Sequence, residues 1–192
     1  MINLEECEKK EDSALVALSL KNQEYFYCII ARYEKVILHY IQRISSLTKE
    51  DAEDVLQDVF MSVYENLNEY DDSLKFSSWI YRIAHNKTIS AWRKIKVRPQ
   101  AVLTNESVDL FGLIASDEDI LASLEKKRTI EDVQVALSQL DDKYREVLVL
   151  KFLEDKDYKE ISDILKKPMG TVATLINRAK GKLKKELAKL EK

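Results

Sequence analysis

The chain has 192 residues, which is enough for one domain or for two small ones. Only three Gly and two Pro punctuate it, while charged residues make up 34%, so the composition favours long helices with solvated faces over turn-rich sheets. No apolar run approaches the ~18 residues that a bilayer span needs. The mostly acidic residues 1–12 also lack the basic-then-apolar order of a signal peptide, so we expect a cytoplasmic protein.

The net charge of -3 conceals a segregation of charge along the chain. Residues 50–72 hold nine acidic side chains and neither Lys nor Arg. Residues 73–105 hold seven basic side chains and no acid, and residues 166–192 hold nine basic side chains and two acids. Any one block could be a solvated helix face. Two basic blocks together favour two contacts with nucleic acid, and the acidic block indicates a basic protein partner.

Apolar residues at helical spacing predict three long helices in the first half of the chain. A shorter helix over about 13–20 precedes a long helix over 22–44. Thr48 and the acids that follow it resemble a capping box that opens the second long helix. After a predicted loop at 70–73, the third long helix covers about 76–94. Helices of this length can enclose one small core.

Periodicity is lost after residue 95, in a stretch that contains Pro99 and Gly112. Helical patterning then returns and ends in a short helix capped by Asp157, a tight connection and a last helix from Thr171 to about Leu190. The sequence therefore predicts an all-α fold of two small helical domains joined by a flexible linker. The predicted bounds are 1–95 for the first domain, 96–118 for the linker and 119–192 for the second.

The segment 158–185 has the layout of a helix-turn-helix, with a short helix, a turn and a longer helix whose far half is basic. Such a helix can enter the major groove of DNA while its cations contact phosphates. A plain helical hairpin that serves only the core has the same pattern. The pattern alone leaves both interpretations open.

Aromatic rings alternate with Lys and Arg between Tyr70 and Lys94, and no acid occurs there after Asp72. Rings beside cations suit single-stranded nucleic acid, because bases stack on the rings while the cations hold phosphates. An aromatic ring can also hold an unstacked base in a pocket. For Phe76 and Trp79 we prefer a core role, whereas Tyr70 lies in the predicted loop and fits a functional role better.

No catalytic or metal-binding pattern stands out in the sequence. Cys7 and Cys28 are far apart and form no CxxC, so we expect two reduced thiols. His39 and His85 lack the spacing of metal ligands. There is no carboxylate pair, nucleophile triad or phosphate loop either. We therefore expect no metal, no other cofactor, no small-molecule substrate and no enzymatic activity.

Three segments stand in a characteristic order: 51–60 (DAEDVLQDVF), 76–86 (FSSWIYRIAHN) and the C-terminal stretch 140–172. Together they resemble bacterial RNA polymerase sigma factors of the extracytoplasmic-function type, over about residues 20–187. In that family the first segment docks on the polymerase clamp, the second recognises the minus-ten promoter element and the third binds the minus-thirty-five element. The short linker leaves no room for a middle domain, as in this group.

The resemblance implies a sigma factor that binds core RNA polymerase and directs promoter recognition and transcription initiation. Its implied partners are the clamp and flap of core RNA polymerase, promoter DNA and an anti-sigma factor. The implied polymerase contacts are Asp51, Asp54, Gln57 and Asp58. The implied minus-ten contacts are Tyr70, Lys75, Trp79, Arg82, Asn86, Lys87 and Arg93. The implied minus-thirty-five contacts are Thr171, Ala173, Thr174, Asn177, Arg178, Lys180 and Lys182.

The last helix departs from the family pattern, which has a basic residue, a small polar residue and an Arg after the Val. Here Ala173 and Leu175 replace the two cations, so duplex recognition is weak, altered or carried by residues further along. Gly181 within the helix costs about 1 kcal/mol relative to Ala. Two other functions stay open: a free-standing helix-turn-helix regulator, which leaves the acidic block unexplained, and a helical adaptor or anti-sigma-binding decoy.

Overall fold

The structure, a computed structural model, describes residues 4–95 and 130–190. The chain divides into two compact units, of which the first holds 4–95 and the second holds most of 130–190. Every regular element in these ranges is helical, which confirms the all-α prediction. The predicted linker at 96–118 and the predicted start of the second domain at 119 lie outside the described residues. Within these ranges, no helix combines the length and the apolarity needed to cross a bilayer.

The described part of the first unit is built from α1 (Leu4–Glu8), α2 (Asp12–Lys21), α3 (Phe26–Ile44), α4 (Lys49–Glu65) and α5 (Phe76–Ile95). The start of α4 is set by Thr48, whose Oγ1 accepts from the Asp51 backbone N at 3.1 Å, as its capping pattern predicts. The start of α3 is later than predicted. Asn22 ends α2 and accepts from the Glu24 backbone N, which opens a short 3-10 turn before α3.

The core of the first unit lies where α3, α4 and α5 pack against one another. The predicted apolar stripes face inward there, and each fully buried Ile stabilises the fold by about 1.5–3 kcal/mol. The Tyr40 and Tyr81 rings meet with centroids 4.9 Å apart. The most deeply buried members are Ile29, Ile37, Tyr40, Ile41, Ile44, Ala52, Val59, Val63, Ile80 and Ala84.

An N-terminal arm, formed by α1 and α2, is attached to α3. Arg32 on α3 donates from Nη2 to the carbonyls of Cys7 at 2.6 Å and Lys10 at 2.7 Å. The expectation of two reduced thiols is wrong for this structure, because Cys7 and Cys28 form a disulfide. The chain turns back through α2, which brings the two Cα atoms to 5.3 Å, within the range that a disulfide spans.

The described part of the second unit consists of α6 (Ile130–Ser138), α7 (Asp142–Leu148), α8 (Tyr158–Leu165) and α9 (Met169–Lys189), with a π-helical turn at Val149–Leu153. Helix α9 packs on α6 and α7 through a buried stripe. The stripe of α9 comprises Val172, Ile176, Ala179, Leu183 and Leu187.

The bounds of α8 confirm the predicted cap. Asp157 Oδ1 accepts from the Glu160 backbone N at 2.8 Å, and Glu160 Oε2 accepts from the Asp157 backbone N at 3.1 Å. Helix α8 closes at Lys166, which adopts the left-handed conformation at φ 51°. Helix α9 begins two residues earlier than predicted, because the Pro168 carbonyl already accepts from the backbone N of Thr171 and Val172. The two helices and their short turn form a helix-turn-helix.

Candidate protein and nucleic-acid interfaces

The outward face of α4 is acidic. Asp54, Gln57 and Asp58 are exposed, whereas Val55 and Val59 point into the core. Residues four apart on a helix lie side by side, so Asp54 and Asp58 form a pair of adjacent carboxylates. Met61, at 60% exposure, continues the same face with an apolar thioether. This face suits a basic protein surface with a small apolar centre.

Asp51 has a different role from the other three predicted polymerase contacts. The Asp51 carboxylate accepts from the Thr48 hydroxyl at 2.8 Å, and the Asp51 backbone N donates to the oxygen of that hydroxyl. These two bonds fix the first turn of α4. The structure therefore groups Asp54, Gln57 and Asp58 on one exposed face and places Asp51 in the cap beside it.

Tyr70 follows a 3-10 turn (Leu67–Glu69) and is the half-buried member of an aromatic cluster. Its ring contacts Phe76 edge-on at 5.3 Å and Trp79 at 5.5 Å between centroids, and its hydroxyl donates to the Leu74 carbonyl. Trp79 is only 7% exposed and Phe76 is buried, as their preferred core role predicts. Tyr33 adds a fourth ring, 5.6 Å from Phe76.

Tyr33 and Asp12 support this aromatic cluster. Nothing in the sequence indicates that either side chain has this role. Tyr33 donates its hydroxyl to Asp12 Oδ2 at 2.5 Å, and burial together with this bond raises the pKa of Tyr33 well above its usual value. Burial also raises the pKa of Tyr70, with the nearby carboxylate of Asp12 adding to the effect. Both phenols therefore remain neutral hydrogen-bond donors at physiological pH.

The loop that carries Tyr70 is ordered by a local turn. The backbone N of Ser73 donates to Asp71 Oδ1 at 2.9 Å. Bonds from the Ser73 side chain and backbone hold the pKa of Asp71 below its usual value. Asp side chains stabilise tight turns in this way. The turn leads directly into α5.

A basic ridge runs along α5. Arg82, Asn86 and Arg93 are spaced by four and seven residues, which places them on one side of the helix, and Lys75 precedes α5 in the same register. Ile80 and Ala84 face the core on the other side. From Arg82 to Arg93 the ridge extends about 16 Å.

The remaining predicted minus-ten residues lie off this ridge or below the surface. Lys87 is half-buried and lies about a third of a turn away. Trp79 has the ridge's register but is buried. Among the ridge residues themselves, Lys75, Asn86 and Arg93 are exposed and Arg82 is half-buried.

The first half of α9 presents an exposed polar face. Thr171, Thr174, Asn177 and Arg178 are all exposed, opposite the buried stripe, and Thr174 Oγ1 donates to the Gly170 carbonyl at 2.8 Å. These four side chains lie on one exposed face, which is the arrangement that a recognition helix needs. Ala173 is half-buried at the margin of this face.

The other two predicted cations of α9 lie on the flanks of that face. Lys182 Nζ lies 5.0 Å from the centroid of the Tyr144 ring and 3.7 Å from Asp141 Oδ2. Lys180 Nζ lies 5.7 Å from the Phe152 ring. Both lysines are drawn toward aromatic rings of their own unit, and Arg178 is left as the cation nearest the centre of the exposed face.

Comparison with known proteins separates the same two regions. The Sigma-70 region 2 family matches residues 29–98, and the Sigma-70, region 4 family matches residues 130–183. The ECF RNA polymerase sigma factor SigW of Bacillus subtilis is 37% identical over 176 residues, covering 88% of this chain and 92% of SigW. The exposed carboxylates of α4 and the basic ridge of α5 both lie within the region 2 match.

Solved structures of two sigma factors have a similar fold. CnrH, an RNA polymerase sigma factor of Cupriavidus metallidurans, was solved in complex with the cytosolic domain of CnrY. It aligns with a TM-score of 0.68 at 25% identity, over 92% of this chain and 97% of CnrH. The sigma factor RpoE of Bartonella quintana, solved with the anti-sigma factor NepR, aligns with a TM-score of 0.65 over 87% of this chain and 98% of RpoE. At 19% identity, RpoE supports the fold alone.

Both halves of the chain, their order and their helical architecture agree with one kind of transcription initiation factor, which directs RNA polymerase to promoters. The chain belongs to the Sigma-70 family and is a sigma factor of the extracytoplasmic-function (ECF) type.

Proposed function

We propose that residues 1–95 bind the core enzyme and open the minus-ten element, that 119–192 bind the minus-thirty-five element, and that 96–118 connect them. The observation that carries this proposal is the presence, in one unit, of an exposed acidic face on α4 and an acid-free basic ridge on α5. One face suits a basic protein and the other suits DNA. The protein acts in the cytoplasm by binding alone, without enzymatic activity.

The acidic face of α4 is the proposed contact with the polymerase clamp. Asp54, Gln57 and Asp58 would meet cationic side chains of the clamp, and Met61 would fill the apolar centre. Complementary charge accelerates encounter and fixes orientation more than it increases affinity. Asp51 supports this contact indirectly, because it holds the first turn of α4 in place.

The Tyr70 loop and the ridge of α5 are the proposed site of minus-ten strand capture. Unstacking a base costs a few kcal/mol, and stacking it on an aromatic ring returns about 1–3 kcal/mol. Tyr70 offers that ring, Asn86 offers an amide for a base edge, and Arg82 and Arg93 offer phosphate contacts. The packing of Tyr70 against Phe76 and Trp79 supports this assignment, because a ring that is already ordered loses little entropy on binding.

Helix α9 is the proposed reader of the minus-thirty-five duplex. Its exposed residues Thr171, Thr174 and Asn177 can face base edges, and Arg178 can contact a phosphate. Lys180 and Lys182 would have to leave the Phe152 and Tyr144 rings to reach DNA. Arg178 is therefore the main cation of this interface.

An anti-sigma factor is the proposed regulator of this chain. The solved RpoE structure contains the anti-sigma factor NepR, and the solved CnrH structure contains the cytosolic domain of CnrY. The similarity of this chain to CnrH, at 25% identity, supports a protein partner that binds the sigma factor in that way. The flap of core RNA polymerase is the further proposed contact of the second unit.

Transcription in vitro tests the proposed function against its rivals. Purified core RNA polymerase, with and without the protein, is supplied with a pool of random promoters, and transcripts are sequenced. We expect the protein to select a common pair of promoter elements. Duplex binding without core enzyme and without new transcripts would favour the free-standing regulator. Core binding without new transcripts would favour the adaptor or decoy.

A further inference from the structure

The N-terminal arm is attached to α3 at two neighbouring places. The first is the disulfide between Cys7 of α1 and Cys28 of α3, whose side chains are 4% and 1% exposed. The second is Arg32, which contacts the carbonyls of Cys7 and Lys10 and pairs with Asp12 Oδ1 at 2.7 Å. Helix α1 has only five residues, too few to be stable alone, so it depends on these attachments.

Contacts lead from the arm to the Tyr70 loop. Asp12, the first residue of α2, accepts from the Tyr33 hydroxyl at 2.5 Å. The Tyr33 ring contacts Phe76, and the Phe76 ring contacts Tyr70. The position of the arm is thus coupled to the loop through side chains in direct contact.

We propose that Cys7 and Cys28 form a reversible thiol–disulfide modification site that controls how firmly the arm orders the Tyr70 loop. The consequence for promoters rests on the proposed role of Tyr70 in strand capture. In the disulfide state the arm stays on α3, Asp12 holds Tyr33, and the loop is preorganised. In the dithiol state the arm opens more often and the loop is less ordered.

The oxidant that we propose is a low-molecular-mass disulfide such as glutathione disulfide. One cysteine thiolate attacks it, its sulfur–sulfur bond breaks, and a mixed disulfide forms as one small thiolate leaves. The second cysteine then attacks the mixed disulfide and releases the other small thiolate. The two protein thiols lose two electrons, the oxidant gains them, and each released thiolate takes up one proton.

Burial of both sulfur atoms makes this site slow in the closed arm and reactive when the arm opens. A five-residue helix held by few contacts opens at low free-energy cost. Where thiols are kept reduced, the disulfides that do form are usually transient and redox-sensing. A sigma factor works beside RNA polymerase in such a compartment, so a signalling role fits this pair better than a permanent crosslink.

The test uses the full chain, treated with glutathione disulfide or with dithiothreitol. Alkylation and mass spectrometry measure the free thiols, and hydrogen exchange measures protection at residues 4–21 and 70–76. We expect oxidation to remove both free thiols reversibly, to increase protection in both segments, and to raise the melting temperature of the first unit by on the order of 10 °C. Open complexes with core polymerase, followed by permanganate, should form faster in the oxidised state.

Two variants complete the test. Cys7→Ala should not respond to oxidant in the exchange or melting measurements. Tyr33→Phe keeps the ring against Phe76 but loses the bond to Asp12, so oxidation should still protect the arm while the loop no longer responds. The proposal is overturned if the wild-type thiols remain alkylatable in oxidant, or if the disulfide forms and protection at 70–76 does not change. If open complexes form in neither redox state, only the proposed function is contradicted. The modification site is tested separately, by thiol alkylation and hydrogen exchange.

Discussion

The guanidinium of Arg145 on α7 caps the C-terminal end of α6, where its Nε donates to the Leu137 carbonyl at 3.1 Å. Its Nη2 donates to the carbonyls of Ser138 and Leu140, both at 3.0 Å. The carbonyls of Leu137 and Ser138 belong to the last turn of α6, where a helix leaves acceptors without intrahelical partners, and the carbonyl of Leu140 follows that turn. Arg145 is 8% exposed, and burial lowers its pKa while Asp142 opposes that effect. One buried cation thus joins the first two described helices of the second unit.

We expect Arg145→Met to destabilise the second unit by about 3 kcal/mol, because buried carbonyls lose charge-assisted bonds. Urea unfolding of the full chain measures this effect by circular dichroism. Both tryptophans, Trp79 and Trp92, lie in the first unit, so its fluorescence transition should stay in place. Lys184→Met, an exposed change on α9, is the control and should stay within about 0.5 kcal/mol. If the fluorescence and dichroism transitions shift by the same amount, the effect of Arg145 is not confined to the second unit.

Reversing charge on α4 should abolish binding to the core enzyme. Asp54→Lys with Asp58→Lys places two cations where the proposed clamp contact needs anions, and like charges at a contact cost several kcal/mol. Both side chains are exposed, so the fold should persist. The matched control is Glu24→Lys with Glu34→Lys, which changes net charge equally at exposed positions elsewhere. Equal loss of affinity in both double variants, in a pull-down titration with core polymerase, would rule out a local contact.

Strand capture should depend on the Tyr70 ring more than on its hydroxyl. Tyr70→Ala removes the stacking surface, whereas Tyr70→Phe removes only the bond to Leu74. Stacking contributes about 1–3 kcal/mol per base, so Tyr70→Ala should reduce open-complex formation by about tenfold or more and Tyr70→Phe much less. Asn86→Ala should also impair opening and leave closed-complex binding nearly unchanged. Permanganate reactivity of the melted bubble measures opening, and wild-type reactivity in Tyr70→Ala and Asn86→Ala would refute the assignment.

Local signals predicted much of the first unit and one helix cap of the second. Apolar residues at helical spacing identified α3, α4 and α5, and polar side chains three residues apart identified the caps at Thr48 and Asp157. These features depend on neighbours within one or two turns, so the sequence carries them directly. The same spacing argument placed Asp54 and Asp58 together on one face.

Other features depend on contacts between distant segments. Nothing near Cys7 indicates Cys28, because their approach follows from the reversal of the arm and the anchoring by Arg32. The run of basic residues in the last helix led us to group Lys180 and Lys182 with Arg178 as DNA contacts. That run contains no information about the Tyr144 and Phe152 rings, near which the two ammonium groups lie. Asp12 was missed for the same reason.

Gly181 is a stabilisation site within α9. It is exposed, and an added Cβ would meet no atom within 4 Å. Gly181→Ala should therefore stabilise the second unit by about 0.5–1 kcal/mol, since Gly loses more backbone entropy in a helix. The reverse change at the exposed Ala188, in the last turn of α9, should cost less, because helix ends fray. Dichroism-monitored urea unfolding measures both, and destabilisation by Gly181→Ala would show that the helix backbone at this position is not regular.

The contribution of α9 to duplex binding should appear in the salt dependence. Each phosphate contact adds about 0.9 to the slope of log affinity against log salt. Arg178 is exposed, so Arg178→Ala should weaken binding and flatten the slope by about one unit. Lys182→Ala should flatten it less, because that ammonium group lies over Tyr144 and near Asp141. Lys189→Ala is the control, since Lys189 is paired with Glu186 at 2.8 Å further along the helix.

Restoring a cation at a position where the family has one completes this test. Ala173→Lys should steepen the slope by about one unit, because residue 173 lies at the margin of the face formed by Thr174 and Asn177. Leu175→Arg should act in the same direction, but Leu175 is half-buried, so a melt must first establish that the fold is intact. Fluorescence anisotropy of a 119–192 fragment on duplex DNA at several salt concentrations measures each slope, with a dichroism melt as the folding control.

If Arg178→Ala leaves affinity and slope unchanged in a fragment that melts normally, α9 does not bind duplex DNA through its exposed face. The second unit would then serve protein contacts, as the adaptor or decoy reading requires.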